Sequence, residues 1–215
     1  MTVHLKIDPV EPDEKTLAEA VKILRGGGVV AFPTETFYGL GADARQEAAV
    51  ERIFRLKGRN VQNPISVIVD NDRVAIFLVE DMSAAAQILM QKFWPGPLTM
   101  LFCASPSVLP RLTGGTGKIG IRVSSHTVAR MLAEGLAGPL TATSANLSGE
   151  RECSTAEEVI RAFGESLDAV IDGGKTTGGL GSTILDVTVS PPLVRREGVI
   201  SRTDIIDALS GIPSR

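Results

Sequence analysis

Lys57 and Arg59 stand one glycine apart in a stretch, Arg52 to Val69, that holds four cations and no carboxylate, in a chain of formal net charge −3. Cations near a helix C-terminus complement its dipole, which accounts for Arg52 and Arg55. Lys57 and Arg59 instead flank Gly58 past the end of the predicted helix, where the backbone can fold tightly and aim both side chains at one point. Arginine offers phosphate oxygens a planar fork and lysine a point charge, so the pair suits a phosphate clamp better than a solvated turn. Asn63-Pro64 then leads back into a strand.

Other stretches carry polar residues that turns alone do not explain. Pro33-Thr34-Glu35-Thr36-Phe37-Tyr38-Gly39-Leu40-Gly41 follows a short apolar strand and offers hydroxyls to a small polar ligand. Between Met82 and Ala133 there is no Asp or Glu, yet Lys92, Arg111, Lys118, Arg122 and Arg130 fall inside. Arg122 alternates with Ile121 and Val123 in a strand, so its charge emerges on the opposite face and needs a partner. An anionic ligand would serve, and so would Glu35 or Asp43. Thr141 to Gly149 ends a strand with small hydrogen-bonding side chains, among them Ser144 and Asn146; Ser154 lies just ahead of a helix whose positive end suits a phosphate. Asp172 to Gly181 is glycine-rich and precedes Ser182-Thr183, with Arg195-Arg196 further on. A Walker A reading of Gly174-Lys175-Thr176 fails because Ala occupies position 169, so the glycines point to a mobile flap over 173–181.

The elements that must position these residues alternate between helix and strand. Helices are predicted over 13–25, 46–56, 83–94, around 128–133, from the Thr155-Ala-Glu-Glu158 capping box to Phe163, and over 203–209. Strands are predicted over 29–32, 65–69, 98–102, 119–123, 140–143, 169–171, 182–187 and 193–195. This pattern gives one α/β domain with a twisted mixed parallel and antiparallel sheet flanked by helices. In such sheets, ligands collect where loops leave the strand ends.

Composition narrows the function classes. Hydrophobic content of 43% with 22% charged residues is that of an ordinary soluble domain. Aromatics at 4% argue against a base-stacking platform, and two cysteines with two distant histidines suggest neither a disulfide framework nor a metal site. No apolar run reaches membrane-spanning length and the N-terminus lacks a signal-peptide core, so a cytoplasmic protein is expected.

Pro33-Thr-Glu-Thr36 with Tyr38-Gly-Leu-Gly41, Lys57-Gly-Arg59 with Asn63-Pro64, Trp94-Pro-Gly-Pro-Leu-Thr99, Ile121-Arg122, Ser144-Ala-Asn146-Leu-Ser-Gly149, Ser182-Thr183 and Arg196-x-Gly198 come in the order of the YrdC-like family. The chain resembles that family from about Val21 to Ser201, and its best known members are threonylcarbamoyl-AMP synthases. The resemblance implies a YrdC-like fold with a cationic concave site. It also implies a nucleotidyl transfer joining L-threonine, bicarbonate or CO2, and ATP into L-threonylcarbamoyladenylate with release of pyrophosphate. That product feeds N6-threonylcarbamoyladenosine formation at tRNA position 37.

By this resemblance Thr34, Arg122, Ser144 and Ser182 would contact threonine. Lys57, Arg59, Asn63, Asn146, Ser154 and Arg196, with Lys118 a weaker candidate, would hold ATP, and Lys57 with Arg59 would carry the catalysis. A histidine that some members use for threonine is replaced by Ile68. The chain resembles the short form, a single domain over 1–215 with its core at about 13–201 and no second C-terminal domain, and the flap is expected to act as a lid. No Ser-His or Cys-His pair is evident, so the chemistry rests on positioning and electrostatics. Mg2+ would come with ATP, since no carboxylate cage is present. Expected partners are ATP, L-threonine, bicarbonate and downstream tRNA threonylcarbamoyl-transferase proteins, with weak RNA contact and no membrane. The alternatives are a non-catalytic RNA-binding module, which the acidic charge disfavours, or a family paralogue with another carbamoyl-transfer role.

Overall fold

The structure is a computed structural model that describes residues 1–210, so the last five positions of the expected domain lie outside the described residues. The first half runs β1 (Val3–Lys6), α1 (Glu14–Arg25), β2 (Val30–Pro33), β3 (Tyr38–Gly41), α2 (Glu47–Lys57), β4 (Val67–Val69), α3 (Asp72–Ile76), α4 (Ala84–Phe93) and β5 (Leu98–Cys103). There follow α5 (Pro110–Thr113), β6 (Lys118–Val123), α6 (Thr127–Leu136), β7 (Leu140–Thr141), β8 (Thr143–Ser144) and α7 (Ala156–Phe163). The chain closes with β9 (Ala169–Asp172), β10 (Thr183–Asp186), β11 (Leu193–Arg196) and α8 (Arg202–Leu209).

The helices begin and end where side-chain chemistry says they should. Asp13 accepts from the Thr16 N–H to start α1, whose Leu17, Ala20, Val21 and Leu24 are buried. Gly58 ends α2 in the left-handed region at φ 57°, a conformation that costs glycine little. At α7 the capping box is shifted by one residue. Thr155 accepts from the Glu158 N–H as expected, but the Glu158 carboxylate takes the N–H and hydroxyl of Ser154. Ser201 and Asp204 make the full reciprocal box at α8.

The strands pair into two mixed sheets, one of five strands in the order β1-β9-β2-β3-β8 and one of six in the order β11-β10-β5-β6-β4-β7. The division turns on Leu140 to Ser144, of which the sequence pattern gives 140–143 as one strand. Leu140 and Thr141 pair with β4 in the larger sheet, Thr143 and Ser144 pair with β3 in the smaller one, and Ala142 is the crossing point. A run of alternating apolar and small polar residues has the same signature whichever partner it finds.

β3 lies inside a segment that the sequence presents as a loop. Its glycines are there for space: a Cβ on Gly41 would sit 2.7 Å from a Phe32 ring carbon and 2.8 Å from Leu140. The larger hydrophobic core joins one face of each sheet to α2, α4 and α7, with Phe54, Leu89, Met100, Phe102 and Val159 inside. A second core fills the space under α1 and α6, with Leu24, Phe32, Ile68 and Leu132. The opposite face of the larger sheet carries Thr99 and Leu101 of β5, Gly120 and Arg122 of β6, and Ile184 of β10, all at the period-two spacing of a strand face. That face is one wall of the site.

Candidate functional site

A cavity of about 380 Å3 lies between this wall and the β2–β3 connection. Thr34, Thr36 and Phe37 come from that connection, Arg59, Asn63 and Pro64 from the loop after α2, and Ser144 from β8. Glu152, Ser182 and Arg196 complete the rim, while Leu101 and Ile184 make an apolar floor. Of the residues singled out in the sequence, the fold therefore gathers Thr34, Arg59, Asn63, Arg122, Ser144, Ser182 and Arg196 around one hollow.

Arg122 is the deepest of its cations. It is 7% exposed, and it donates no hydrogen bond to any described residue. Its nearest counter-charge is Glu35 Oε1, 3.5 Å from Nη1. Burial lowers its pKa, Glu35 opposes that shift, and the positive charge of Arg196 adds to it. The other Glu35 oxygen accepts the Ser124 hydroxyl, whereas Oε1 is buried with no hydrogen-bond partner. Asp43, the alternative partner, is committed to Arg45 at 2.8 Å. A guanidinium carries five N–H donors, and here it lines a cavity whose hydroxyls and single carboxylate, Glu152, leave it without a hydrogen-bonded acceptor.

Arg59 and Arg196 are held differently. Arg59 donates to the carbonyls of Asn63 and Pro64, at 3.3 and 2.9 Å. Arg196 donates to the Ser182 carbonyl at 2.8 Å and to its hydroxyl at 3.3 Å. Neutral oxygens orient both side chains without cancelling their charge. Thr34 donates to the Phe37 carbonyl at 2.6 Å, and Thr99 and Ser182 share a hydroxyl pair at 3.0 Å. Thr36 joins Thr34 from the hydroxyl-bearing loop, whereas Thr99 and Glu152 line the cavity although the sequence did not single them out for it; Thr99 was detectable as a polar residue inside an apolar strand.

Four expected site residues do not reach the cavity. Lys57 does not converge with Arg59 but turns inward, 3% exposed, and donates to the Ser144 and Asn146 carbonyls at 2.5 and 2.6 Å and to Asn146 Oδ1 at 3.2 Å. The reason is helical period: Lys57 is four residues past Ile53 and three past Phe54, both on the buried face of α2. Burial first, then Arg59, brings its pKa down to about 8. Asn146 gives its amide to the Glu150 carbonyl at 2.6 Å and lines a neighbouring cavity of about 500 Å3 with Glu150, Arg151 and Gly179. Phe37 and Glu152 belong to both hollows. Ser154 is occupied by the Glu158 carboxylate, which takes the place at the α7 N-terminus that a phosphate was expected to fill. Lys118 is neutralised by Asp186 at 2.8 Å.

Ile68 lies beside Arg122 in the β4–β6 register and is fully buried in the second core, short of the cavity wall. The glycine-rich loop is tied down along its length. The Tyr38 hydroxyl donates to the Gly174 carbonyl at 2.7 Å and accepts from the Gly173 N–H at 3.3 Å. The Thr176 N–H reaches the Ser154 carbonyl at 2.9 Å, the Gly178 N–H reaches the Thr36 carbonyl at 2.8 Å, and the Gly181 carbonyl accepts from Val199 at 3.0 Å. Gly198 packs so closely there that a Cβ would sit 2.1 Å from the Gly181 oxygen. Among the described residues no helix is long and apolar enough to cross a membrane.

A family model named Sua5_yciO_yrdC and described as "Telomere recombination" matches residues 22–198. A threonylcarbamoyl-AMP synthase of Pyrococcus abyssi is 39% identical over 194 residues, covering 90% of this chain and 57% of that protein. The crystal structure of P. abyssi Sua5 complexed with L-threonine superposes with a TM-score of 0.92 at 35% identity, covering 99% of this chain and 62% of that one. The crystal structure of E. coli YciO superposes with a TM-score of 0.85 at 30% identity, covering 93% and 97%. The chain thus spans about three fifths of the P. abyssi protein and nearly all of YciO.

Proposed function

Because the chain belongs to the Sua5–YciO–YrdC family, we propose that it condenses L-threonine, bicarbonate or CO2, and ATP into L-threonylcarbamoyladenylate and pyrophosphate, as a threonylcarbamoyl-AMP synthase. The observation that carries this reading is Arg122, a buried guanidinium facing a polar cavity without a hydrogen-bonded acceptor. A carboxylate is the planar, singly charged group that its fork fits. Thr34, Ser144 and Ser182 surround that position with hydroxyls for the amine and side-chain oxygen of threonine. Arg59 and Arg196, oriented by carbonyls and uncompensated, take the phosphates, with Asn63 beside them. Lys57 acts at one remove, by fixing the backbone of Ser144 and Asn146.

In this reading the threonine amine adds to CO2 and loses a proton, giving a carbamate. A carbamate oxygen then attacks the α-phosphorus, and pyrophosphate leaves. No side-chain nucleophile takes part. The protein brings two anions together and stabilises the charge that grows on the phosphates. Such positioning is worth roughly 7–11 kcal/mol of barrier. Glu152 is the single carboxylate on the cavity wall among the described residues, which suits Mg2+ that arrives on ATP and keeps most of its ligands from phosphate and water. When bound, the ion neutralises phosphate charge, and Glu152 is the residue that would hold it.

The product is a reactive mixed anhydride, to be consumed by downstream tRNA threonylcarbamoyl-transferase proteins, and a role in tRNA modification goes with a cytoplasmic location. The test supplies threonine, bicarbonate and Mg-ATP and follows pyrophosphate. Release that requires threonine is expected. Release indifferent to threonine would favour a paralogue with another carbamoyl acceptor, and salt-dependent RNA affinity without ATP binding would favour the RNA-binding module.

A further inference from the structure

Glu35 and Arg122 form an ion pair whose geometry is unlike that of the other pairs among the described residues. Where a carboxylate holds an arginine in place, as Asp43 holds Arg45, two guanidinium nitrogens donate at 2.8 Å to two carboxylate oxygens. Between Glu35 and Arg122 the closest approach is 3.5 Å, and it is not a hydrogen bond. The carboxylate is anchored from behind instead, by the hydroxyl of Ser124, a fully buried residue that also accepts the His126 N–H at 3.2 Å. Arg122 owes its direction to its place in β6 and to close packing. What Glu35 supplies is charge.

We propose that Glu35 is an internal counter-ion that competes with the substrate carboxylate for Arg122. It neutralises the deepest cation of the cavity wall, so that a buried charge is compensated before any ligand arrives. It also opposes the ligand: a carboxylate docking on the cavity side of the guanidinium is attracted by Arg122 and repelled by Glu35 behind it. The amino acid is therefore held more weakly than Arg122 alone would hold it. This inference rests on the reading of Arg122 as the carboxylate site.

The experiment measures binding of L-threonine and of L-threonine amide by titration calorimetry to the full chain and to its Glu35→Gln variant. Removing one like charge at this range should tighten L-threonine by about tenfold. The amide, which has no carboxylate, should change by less than about twofold. Glu35→Asp keeps the charge but withdraws it by one methylene, and should fall between. This second variant keeps the idea testable if the Gln variant, with its buried cation unpaired, does not fold. In steady-state assays the KM for threonine should drop while that for ATP stays. Weaker or unchanged threonine affinity in the variants would overturn the proposal and make Glu35 an orienting or merely structural group. Failure of the wild-type chain to bind L-threonine at all would overturn it together with the functional reading, whereas wild-type binding without tightening would overturn this proposal alone.

Discussion

At one end of β6 the Lys118 ammonium donates to Asp186 at 2.8 Å, and Arg195 reaches the same oxygen at 2.7 Å. Four residues along the same face, Arg122 has only Glu35 at 3.5 Å and no hydrogen bond among the described residues. The two cations share a strand, a face and a charge, and they differ in whether an acceptor is already in place. Asp186 is fully buried and accepts from Lys118, Thr188 and Arg195, so its end of the strand is electrostatically complete. The Arg122 end has a counter-charge but no hydrogen-bonded acceptor, and it lies on the cavity wall. Binding sites and ion-pair networks draw on the same residues; unsatisfied donors set them apart.

The sharpest way to break this contrast is Arg122→Lys, which keeps the charge but removes the fork. It should lower kcat/KM for threonine about 100-fold, or roughly 2.7 kcal/mol, with the KM for ATP little changed, as read from pyrophosphate release. The same contrast recurs across Gly58. Lys57→Met removes three hydrogen bonds, two of them buried and both on Asn146, and should cost about 2 kcal/mol of unfolding free energy, whereas Arg59→Gln should leave stability alone and weaken ATP binding. Equal losses of stability in both would erase the distinction.

The smallest effect belongs to the completed end of β6, where Lys118→Met should change turnover by less than about twofold and stability by about 1 kcal/mol. The Asp186 carboxylate also sets a pH signature. Burial opposes its ionisation, but hydrogen bonds from Lys118, Thr188 and Arg195 outweigh this and hold its pKa below the usual carboxylate value. A carboxylate with a depressed folded pKa contributes stability at neutral pH, and that contribution is lost as pH falls through the folded value. Urea midpoints should therefore drop with acid below about pH 4 in the wild type, with a shallower drop in Asp186→Asn.

Much of the scaffold could be read from the sequence because its elements are punctuated. Asp13, Gly58, Ser83 and Ser201 are caps, and the apolar spacing on α1 and α2 is that of a buried helix face. The loops that carry Arg59, Asn63, Ser144, Ser182 and Arg196 stood out for the same reason, as polar residues at element ends. What escaped depends on distance along the chain. That Lys118 is taken by Asp186, 68 positions away, follows from β5 lying between β6 and β10 and leaves no local mark. Lys57 was legible in principle, since the period that buries Ile53 and Phe54 buries it too. Ser154 meets the Glu158 carboxylate because a capping box is shifted by one residue of register. The second sheet stayed hidden because a strand pattern states which faces are apolar, not which neighbour it joins.

The ties along the glycine-rich loop set a limit on how far it can travel. Between the Gly178 amide on Thr36 and the Gly181 carbonyl on Val199, only Gly179 and Leu180 are unmoored. A tether of three Cα–Cα links cannot swing out by more than half its contour, on the order of 5 Å. With both moorings intact, this segment can slide Leu180 across the rim like a shutter slat, but it is too short to roof a nucleotide. On the proposed reading, water would have to be kept from the anhydride bond by the bound reactants themselves, each plugging the side of the hollow that the other leaves open.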